Sequence, residues 1–309
     1  VMHIVYKSDP LRGAHWQRWL AEHAPDIQLH IWPETGPTEQ VEMLIAWQLP
    51  ENLLATFPNL KALMSVGAGA DQFDLSEIPP DLPVVRMIEP GLTQGMVEYV
   101  TFAVLGLHRD IPRYLRQQRE QQWHPHKIHT AGERRIGVMG LGELGQACLK
   151  QLVALGFDCA GWSRTQHKID GVRCWHGDEQ LAVFLARSDI LVCLLPLTDD
   201  TRGLLNAELF AQLPSGAALV QVGRGPQLND DHLLAALDSG QLSAAVIDVT
   251  APEPLPVGHP FWRHPAIWLT PHIASETHTG SAVVALLDNL RRYQRGEPMI
   301  GMIDRNRGY

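Results

Sequence analysis

The chain has 309 residues, 45% apolar and 19% charged, which suffices for a sizeable buried core and excludes a disordered chain or a disulfide-stapled mini-protein. Lys and Arg number 25 against 34 Asp and Glu, and the net charge of −9 argues against a broad nucleic-acid-binding or anionic-membrane surface. No apolar run exceeds six residues, the length reached at 190–195 and 282–287, far short of the ~20 that a spanning helix needs.

In chain order, apolar runs at 3–6, 28–31, 43–46, 62–66 and 83–86 predict strands, with helical patterns between them, as at 15–24. A long helical pattern then covers 93–122, with Val97, Val100, Val104, Leu107 and Ile111 at helical spacing and a kink or interruption expected at Pro112. A polar, His-rich surface connection follows at 123–133. A second alternating series predicts strands at 136–139, 159–162, 190–194, 218–221, 244–248 and 268–269. Helices are expected at 144–155, 178–186, 206–212 and 230–238, and a final apolar helix at 276–294. Such alternation predicts two α/β units with parallel sheets covered by helices, 1–98 with 277–309, and 99–276. The first ten residues show no signal-peptide pattern. Cys148, Cys159, Cys174 and Cys193 are scattered without a CxxC, so free thiols in the cytoplasm are expected.

The strand at 136–139 runs straight into Gly140-Leu141-Gly142-Glu143-Leu144-Gly145 and then a helix. Gly140 permits the tight turn, Gly142 lets backbone approach a pyrophosphate, and Gly145 lets helix pack on strand. The strand before and helix after make this a dinucleotide site rather than a bare GxGxxG match. The next strand ends at Ser163-Arg164-Thr165, where an NAD site would carry Asp or Glu. A guanidinium and two hydroxyls suit the 2′-phosphate of NADPH, with weaker use of NADH.

Three further patterns stand at predicted strand ends: Arg224-Gly225, Glu253-Pro254-Leu255 and Thr270-Pro271-His272. Ligands of open parallel sheets sit at the carboxyl ends of strands, so the Arg, Glu and His are expected to serve one site. Reduction of a 2-keto acid needs all three. Arg224 offers a permanently charged fork for carboxylate and keto oxygen. His272 gives a proton to the forming alkoxide, and Glu253 favours its imidazolium and fixes its orientation. The nicotinamide supplies the hydride.

These motifs, in this order, resemble the D-isomer-specific 2-hydroxyacid dehydrogenase family over essentially the whole chain. The stretch Trp162–Thr165, residues 233–240 and the ending Asp304-Arg305-Asn306-Arg307-Gly308-Tyr309 are most similar to its glyoxylate/hydroxypyruvate reductase A group. The resemblance implies two doubly wound Rossmann-like or flavodoxin-like domains with the active-site cleft between them. The substrate domain is 1–98 with 277–309, and the NADP domain is 99–276. It implies a homodimer through the cofactor domains and a small 2-keto acid as substrate, with no nucleic-acid or membrane partner. It also implies that backbone N–H groups at Ala68 and Gly69 hold the substrate carboxylate. Leu195, Pro196 and Val222 lie beside the cofactor, and Asp248 meets the nicotinamide amide. Trp47 either walls the substrate pocket or packs in the core. Gln221 and Asn229 depart from the usual Asn and Asp of the family. Two other readings stay open: a same-family dehydrogenase of another 2-hydroxy acid, and a cofactor-sensing, corepressor-like binding protein. His124, His126 and His129 are read as solvated loop residues, and no metal is expected. The basic face of Arg109, Arg113, Arg116 and Arg119 reads as solvated or dimer-facing.

Overall fold

A computed structural model describes residues 1–309. In chain order the elements are β1 (Met2–Lys7), α1 (Pro10–His23), β2 (Ile27–Ile31), β3 (Val41–Ala46), α2 (Leu53–Thr56), β4 (Ala62–Ser65), β5 (Val84–Val85), α3 (Pro90–His108) and α4 (Ile111–Arg119). There follow β6 (Arg135–Met139), α5 (Glu143–Ala154), β7 (Asp158–Ser163), β8 (Arg173–His176), α6 (Asp178–Ala186), β9 (Ile190–Cys193) and α7 (Ala207–Gln212). The last are β10 (Ala217–Gln221), α8 (Asp230–Asp238), β11 (Leu242–Ile247), β12 (Ile267–Leu269) and α9 (Thr279–Gln294). Two compact units result, Val1–Leu92 with Glu276–Tyr309, and Thr93–Ser275.

The first unit is a five-stranded parallel sheet of order β2-β1-β3-β4-β5. Its inner strands are buried without alternation, because helices and loops cover both faces. Trp16 and Leu20 of α1 and Val283, Leu286 and Leu290 of α9 pack on one face against Ile4, Tyr6, Met43 and Ile45. Phe57, Phe73 and Ile78 pack with Leu44 and Leu63 on the other. The helix α1 starts at Pro10, earlier than its apolar periodicity suggests. Asp9 caps it by accepting from Leu11 N at 3.2 Å and Arg12 N at 3.0 Å.

The second unit is a seven-stranded parallel sheet of order β12-β11-β10-β9-β6-β7-β8. One face packs Val100, Val104 and Leu107 of α3 and Leu149 and Leu152 of α5 on Ile136, Val138 and Val192. The other packs Leu209, Phe210, Leu233 and Leu237 on Leu191 and Leu219. This doubly wound arrangement is the expected fold class. The edge strand β8, of mixed Arg-Cys-Trp-His composition, has no readable strand pattern; its pairing to β7 creates it.

The helical pattern over 93–122 is interrupted, as Pro112 suggests, into two helices. The break falls at Asp110, whose φ is 54°, and Pro112 sits in the first turn of α4. Proline is tolerated there because the first turn has no intrahelical acceptor for its missing N–H. Three residues expected at the start of α9 stay outside it, and His278 is the N-cap. His126 is not simply solvated: its Nε2 lies 2.6 Å from Gln117 Oε1, and Tyr114 Oη accepts from its backbone N–H at 2.9 Å. No helix is long and apolar enough to cross a membrane.

Candidate active site

The strand order of the second unit arranges the sequence motifs in a row. Along the carboxyl ends of β12, β11, β10, β9, β6 and β7 come His272, Asp248 with Glu253, Val222 with Arg224, Leu195 with Pro196, the Gly140–Gly145 loop, and Ser163–Thr165. Sequence order reverses between β6 and β9, the switch point where such sheets bind ligands. Four strand spacings separate β6 from β12, about 19 Å.

The glycine loop is built by close backbone approach. Gly140 has φ +102°, and its N–H donates to Trp162 O at 2.8 Å. A Cβ on Gly145 would lie 1.9 Å from Gly140 O, so no side chain fits there. Gly142 is the N-cap of α5, and a Cβ on it would meet no protein atom within 4 Å. A side chain at Gly142 would therefore project into the space over the helix N-terminus, where backbone N–H groups of Glu143 and Leu144 offer positive potential to a phosphate. This cradle fits a dinucleotide. The Glu143 carboxylate accepts from Thr93 Oγ1 at 3.2 Å.

At the end of β7 the Ser163 hydroxyl is buried and committed: it donates to Thr165 O at 2.6 Å and lies 3.0 Å from His167 Nδ1. Arg164 has an exposed guanidinium 3.6 Å from Asp200 Oδ2. A pair this long and exposed holds the side chain only weakly.

Two buried glutamine carboxamides shape the middle of the row. Gln227 Nε2 donates to Leu195 O and Pro196 O at 2.9 and 3.0 Å, while its Oε1 accepts from Arg224 N at 2.8 Å. Gln221 Nε2 donates to Arg224 O at 2.9 Å, and its Oε1 accepts from Gly223 N at 3.2 Å. The Gln221 departure thus serves the Arg224 loop directly. Val222 is a buried core residue whose N–H donates to Cys193 O. A Cβ on Gly225 would lie 2.0 Å from Thr250 O, so the Arg-Gly loop lies hard against the loop after β11. Asn229, the other departure, caps α8 by accepting from His232 N at 3.0 Å.

Asp248 is 2% exposed and organises the turn that carries His272. Its Oδ1 accepts from Thr270 Oγ1 at 2.6 Å and Ile273 N at 2.8 Å, and its Oδ2 from Ala274 N at 2.8 Å. Three of about four carboxylate acceptor sites are thereby used. Tyr99 Oη lies 2.5 Å from Thr270 Oγ1; burial pushes this phenol up to about 12, with Asp248 adding to the rise, so it stays neutral. His272 has φ 55°, held by bonds from its N–H to Asp248 O and Thr270 O. Its Nδ1 lies 2.8 Å from Glu253 Oε2, and the other Glu253 oxygen accepts from Thr250 N at 3.1 Å. With the Nδ1 proton directed at the carboxylate, Nε2 is the ring nitrogen available for proton transfer.

In the first unit, the loop after β4 is built by side chains. Ser65 Oγ donates to Gly69 O at 2.6 Å and accepts from Gly67 N at 3.2 Å and Gln72 Nε2 at 2.9 Å. Met87 N donates to Gly67 O at 2.9 Å. These bonds fix the loop yet engage neither the Ala68 nor the Gly69 N–H. Trp47 is 37% exposed, so it is not a core residue, and a Cβ on Gly67 would touch its ring at 3.0 Å. Sequence reasoning misses Ser65, Tyr99, Gln227 and Thr277. None belongs to a motif; only burial of polar side chains beside motif residues reveals them.

Residues 101–274 match the family model of the D-isomer specific 2-hydroxyacid dehydrogenase NAD binding domain. The chain is 36% identical to glyoxylate/hydroxypyruvate reductase A of Serratia proteamaculans over 314 residues, covering all of both chains. Among solved structures it is similar to a D-isomer specific 2-hydroxyacid dehydrogenase from Xanthobacter autotrophicus Py2 in complex with NADPH and MES. That match has 41% identity and a TM-score of 0.95 over all of both chains. An NADPH-dependent glyoxylate/hydroxypyruvate reductase from Sinorhizobium meliloti, in complex with NADP and sulfate, matches at 32% identity and a TM-score of 0.89. It covers 99% of this chain and 100% of that one.

Proposed function

This chain belongs to the D-isomer specific 2-hydroxyacid dehydrogenase family, and we propose that it reduces glyoxylate to glycolate and hydroxypyruvate to D-glycerate with NADPH. The carrying observation is the 2.8 Å contact between His272 Nδ1 and Glu253 Oε2, on the same strand-end row as the glycine cradle. Bound NADPH supplies a hydride to the keto carbon. Arg224 presents its guanidinium to the keto oxygen and carboxylate, and orients the carbonyl. His272, as imidazolium, delivers the Nε2 proton to the oxygen as negative charge develops, and Glu253, accepting from Nδ1–H, fixes the ring's orientation. Ala68 and Gly69 offer N–H groups to the substrate carboxylate, and Trp47 shapes its surroundings.

In the same reading the N–H groups of Glu143 and Leu144 take the pyrophosphate. Ser163, Arg164 and Thr165 take the 2′-phosphate, Ser163 through its place in the turn since its hydroxyl is committed. Leu195, Pro196 and Val222 would lie beside the bound cofactor, and the remaining acceptor site of Asp248 would take its nicotinamide amide. The relatives' names and bound NADPH or NADP support the substrate and cofactor choice. Exposed Phe102, Trp123 and Ile128, at 64, 99 and 70%, support a homodimer through the second unit. Unpaired thiols at all four cysteines support a cytoplasmic location.

The test is NADPH oxidation followed with glyoxylate, hydroxypyruvate, phenylpyruvate and phosphohydroxypyruvate, repeated with NADH. We expect kcat/KM for the first two acids to lead the panel, and NADPH to exceed NADH by at least about tenfold. Turnover of none of them sinks the reading, and a lead by another acid replaces the substrate.

A further inference from the structure

The loop at 66–70 is tied to two distant stretches of chain by a buried hydrogen-bond relay. Glu89 is 1% exposed. Its Oε2 accepts from Gly91 N at 2.7 Å and Ser281 Oγ at 2.5 Å, and its Oε1 from His278 N at 2.9 Å. These donors flank the points where the chain leaves the first unit and returns to it, at Leu92 and Glu276. Thr277, adjacent to His278 and 9% exposed, donates its hydroxyl to Val66 O at the end of β4. The Val66 N–H is fixed by Ala46 O at 3.2 Å.

We infer that Thr277 and Glu89 are positioning residues for the substrate carboxylate, an inference that rests on the functional reading of Ala68 and Gly69. The Thr277 bond sets the plane of the Val66–Gly67 peptide. Ser65 sets the Gly67 N–H and the Gly69 carbonyl. Between these two anchors the Ala68 and Gly69 N–H groups have little freedom to turn away from a common acceptor. Glu89 acts one step further back: it holds the His278 N–H, and with it the backbone direction of Thr277. Two convergent N–H groups bind a carboxylate well only while their aim is kept, because small misplacements cost both affinity and alignment. A hydroxyl 211 residues from its acceptor is thus part of the loop's geometry.

The test compares Thr277→Val, which keeps shape and loses the hydroxyl, with Thr277→Ser, which keeps it. Four quantities are read on the whole chain: KM and kcat for glyoxylate, Kd for NADPH by fluorescence, and Kd for oxalate on the NADP-loaded protein by calorimetry. Oxalate is a planar carboxylate probe whose binding needs no turnover. We expect Thr277→Val to raise the glyoxylate KM and the oxalate Kd about tenfold. The NADPH Kd should stay within about twofold, and Thr277→Ser should return to within about threefold of the parent. Glu89→Gln sets an amide N–H₂ among three donors, and is expected to show the same split if Thr277→Val folds poorly. Parent-like glyoxylate and oxalate values in Thr277→Val overturn the inference, as does an equal weakening of NADPH. A parent protein that neither reduces glyoxylate nor binds oxalate overturns the functional reading and this inference together. A normal parent with an unchanged Thr277→Val overturns this inference alone.

Discussion

Two small-residue loops, one in each unit, sit at the carboxyl ends of parallel strands and are built by opposite means. The loop after β6 is shaped by exclusion: Gly145 has backbone where its side chain would be, and Gly140 takes a positive φ. The loop after β4 is shaped by attachment, through Ser65, Gln72, Met87 and Thr277. A loop made by exclusion leaves its signature in closely spaced glycines. One made by attachment spreads it over polar groups beside the loop and far from it, as Ser65 and Thr277 show. The difference predicts that damage to the two loops separates by ligand, the first reporting on the cofactor and the second on the keto acid.

The largest effect lies beyond either loop and sets the scale for both. His272→Ala removes the proposed proton donor and should lower kcat for glyoxylate by ~10²–10⁴-fold with the NADPH Kd unchanged. Retention of most of the rate would move the proton to another group. Gly145→Ala should weaken NADPH by at least ~10²-fold, or lower Tm if α5 shifts to relieve a 1.9 Å contact with Gly140 O. An alanine variant with native NADPH affinity and Tm would end the argument from exclusion. Arg164→Ala should raise the NADPH KM about tenfold and leave NADH nearly untouched, since charge-assisted contacts contribute ~1.5–3 kcal/mol. Equal changes for both cofactors would remove Arg164 from the 2′-phosphate. The smallest effect is expected in the attached loop. Ser65→Ala frees the Gly67 N–H and the Gly69 carbonyl, and should raise the glyoxylate KM about three- to tenfold while NADPH binding holds. A loss confined to NADPH would collapse the comparison.

What can be read from the sequence follows the same line. The run Gly140–Gly145 and the positions of Arg224, Glu253 and His272 are local motifs after buried strands, so their shared place at the carboxyl edge of one sheet is legible from residue order. The strand order turns that legibility into geometry, because β10, β11 and β12 are neighbours. Asp248 is legible as a site residue, but not as the acceptor that shapes the turn of His272. Gln227 is invisible in its wider role: beyond its local bond from Arg224 N, its bonds to Leu195 O and Pro196 O cross from one strand-end loop to another, and no spacing rule links them. Thr277 is hidden inside an expected helix that begins two residues later, at Thr279. Proline's missing N–H points to Pro112 for the break between α3 and α4, although its position is set by the left-handed Asp110.

The backbone of His272 carries a last consequence. Its φ of 55° belongs to a region where a side chain costs about 1–2 kcal/mol, which glycine avoids and asparagine often tolerates. Asp248 and Thr270 hold it there from both sides. The residue to which we assign the proton transfer therefore stands where thermal robustness favours a different amino acid. His272→Asn should be catalytically dead and yet melt at or above the parent temperature in a calorimetric scan. A lower melting point would show that the Glu253 contact outweighs the backbone term. Under selection for heat resistance alone, with activity unmonitored, this position should be among the first to lose its imidazole.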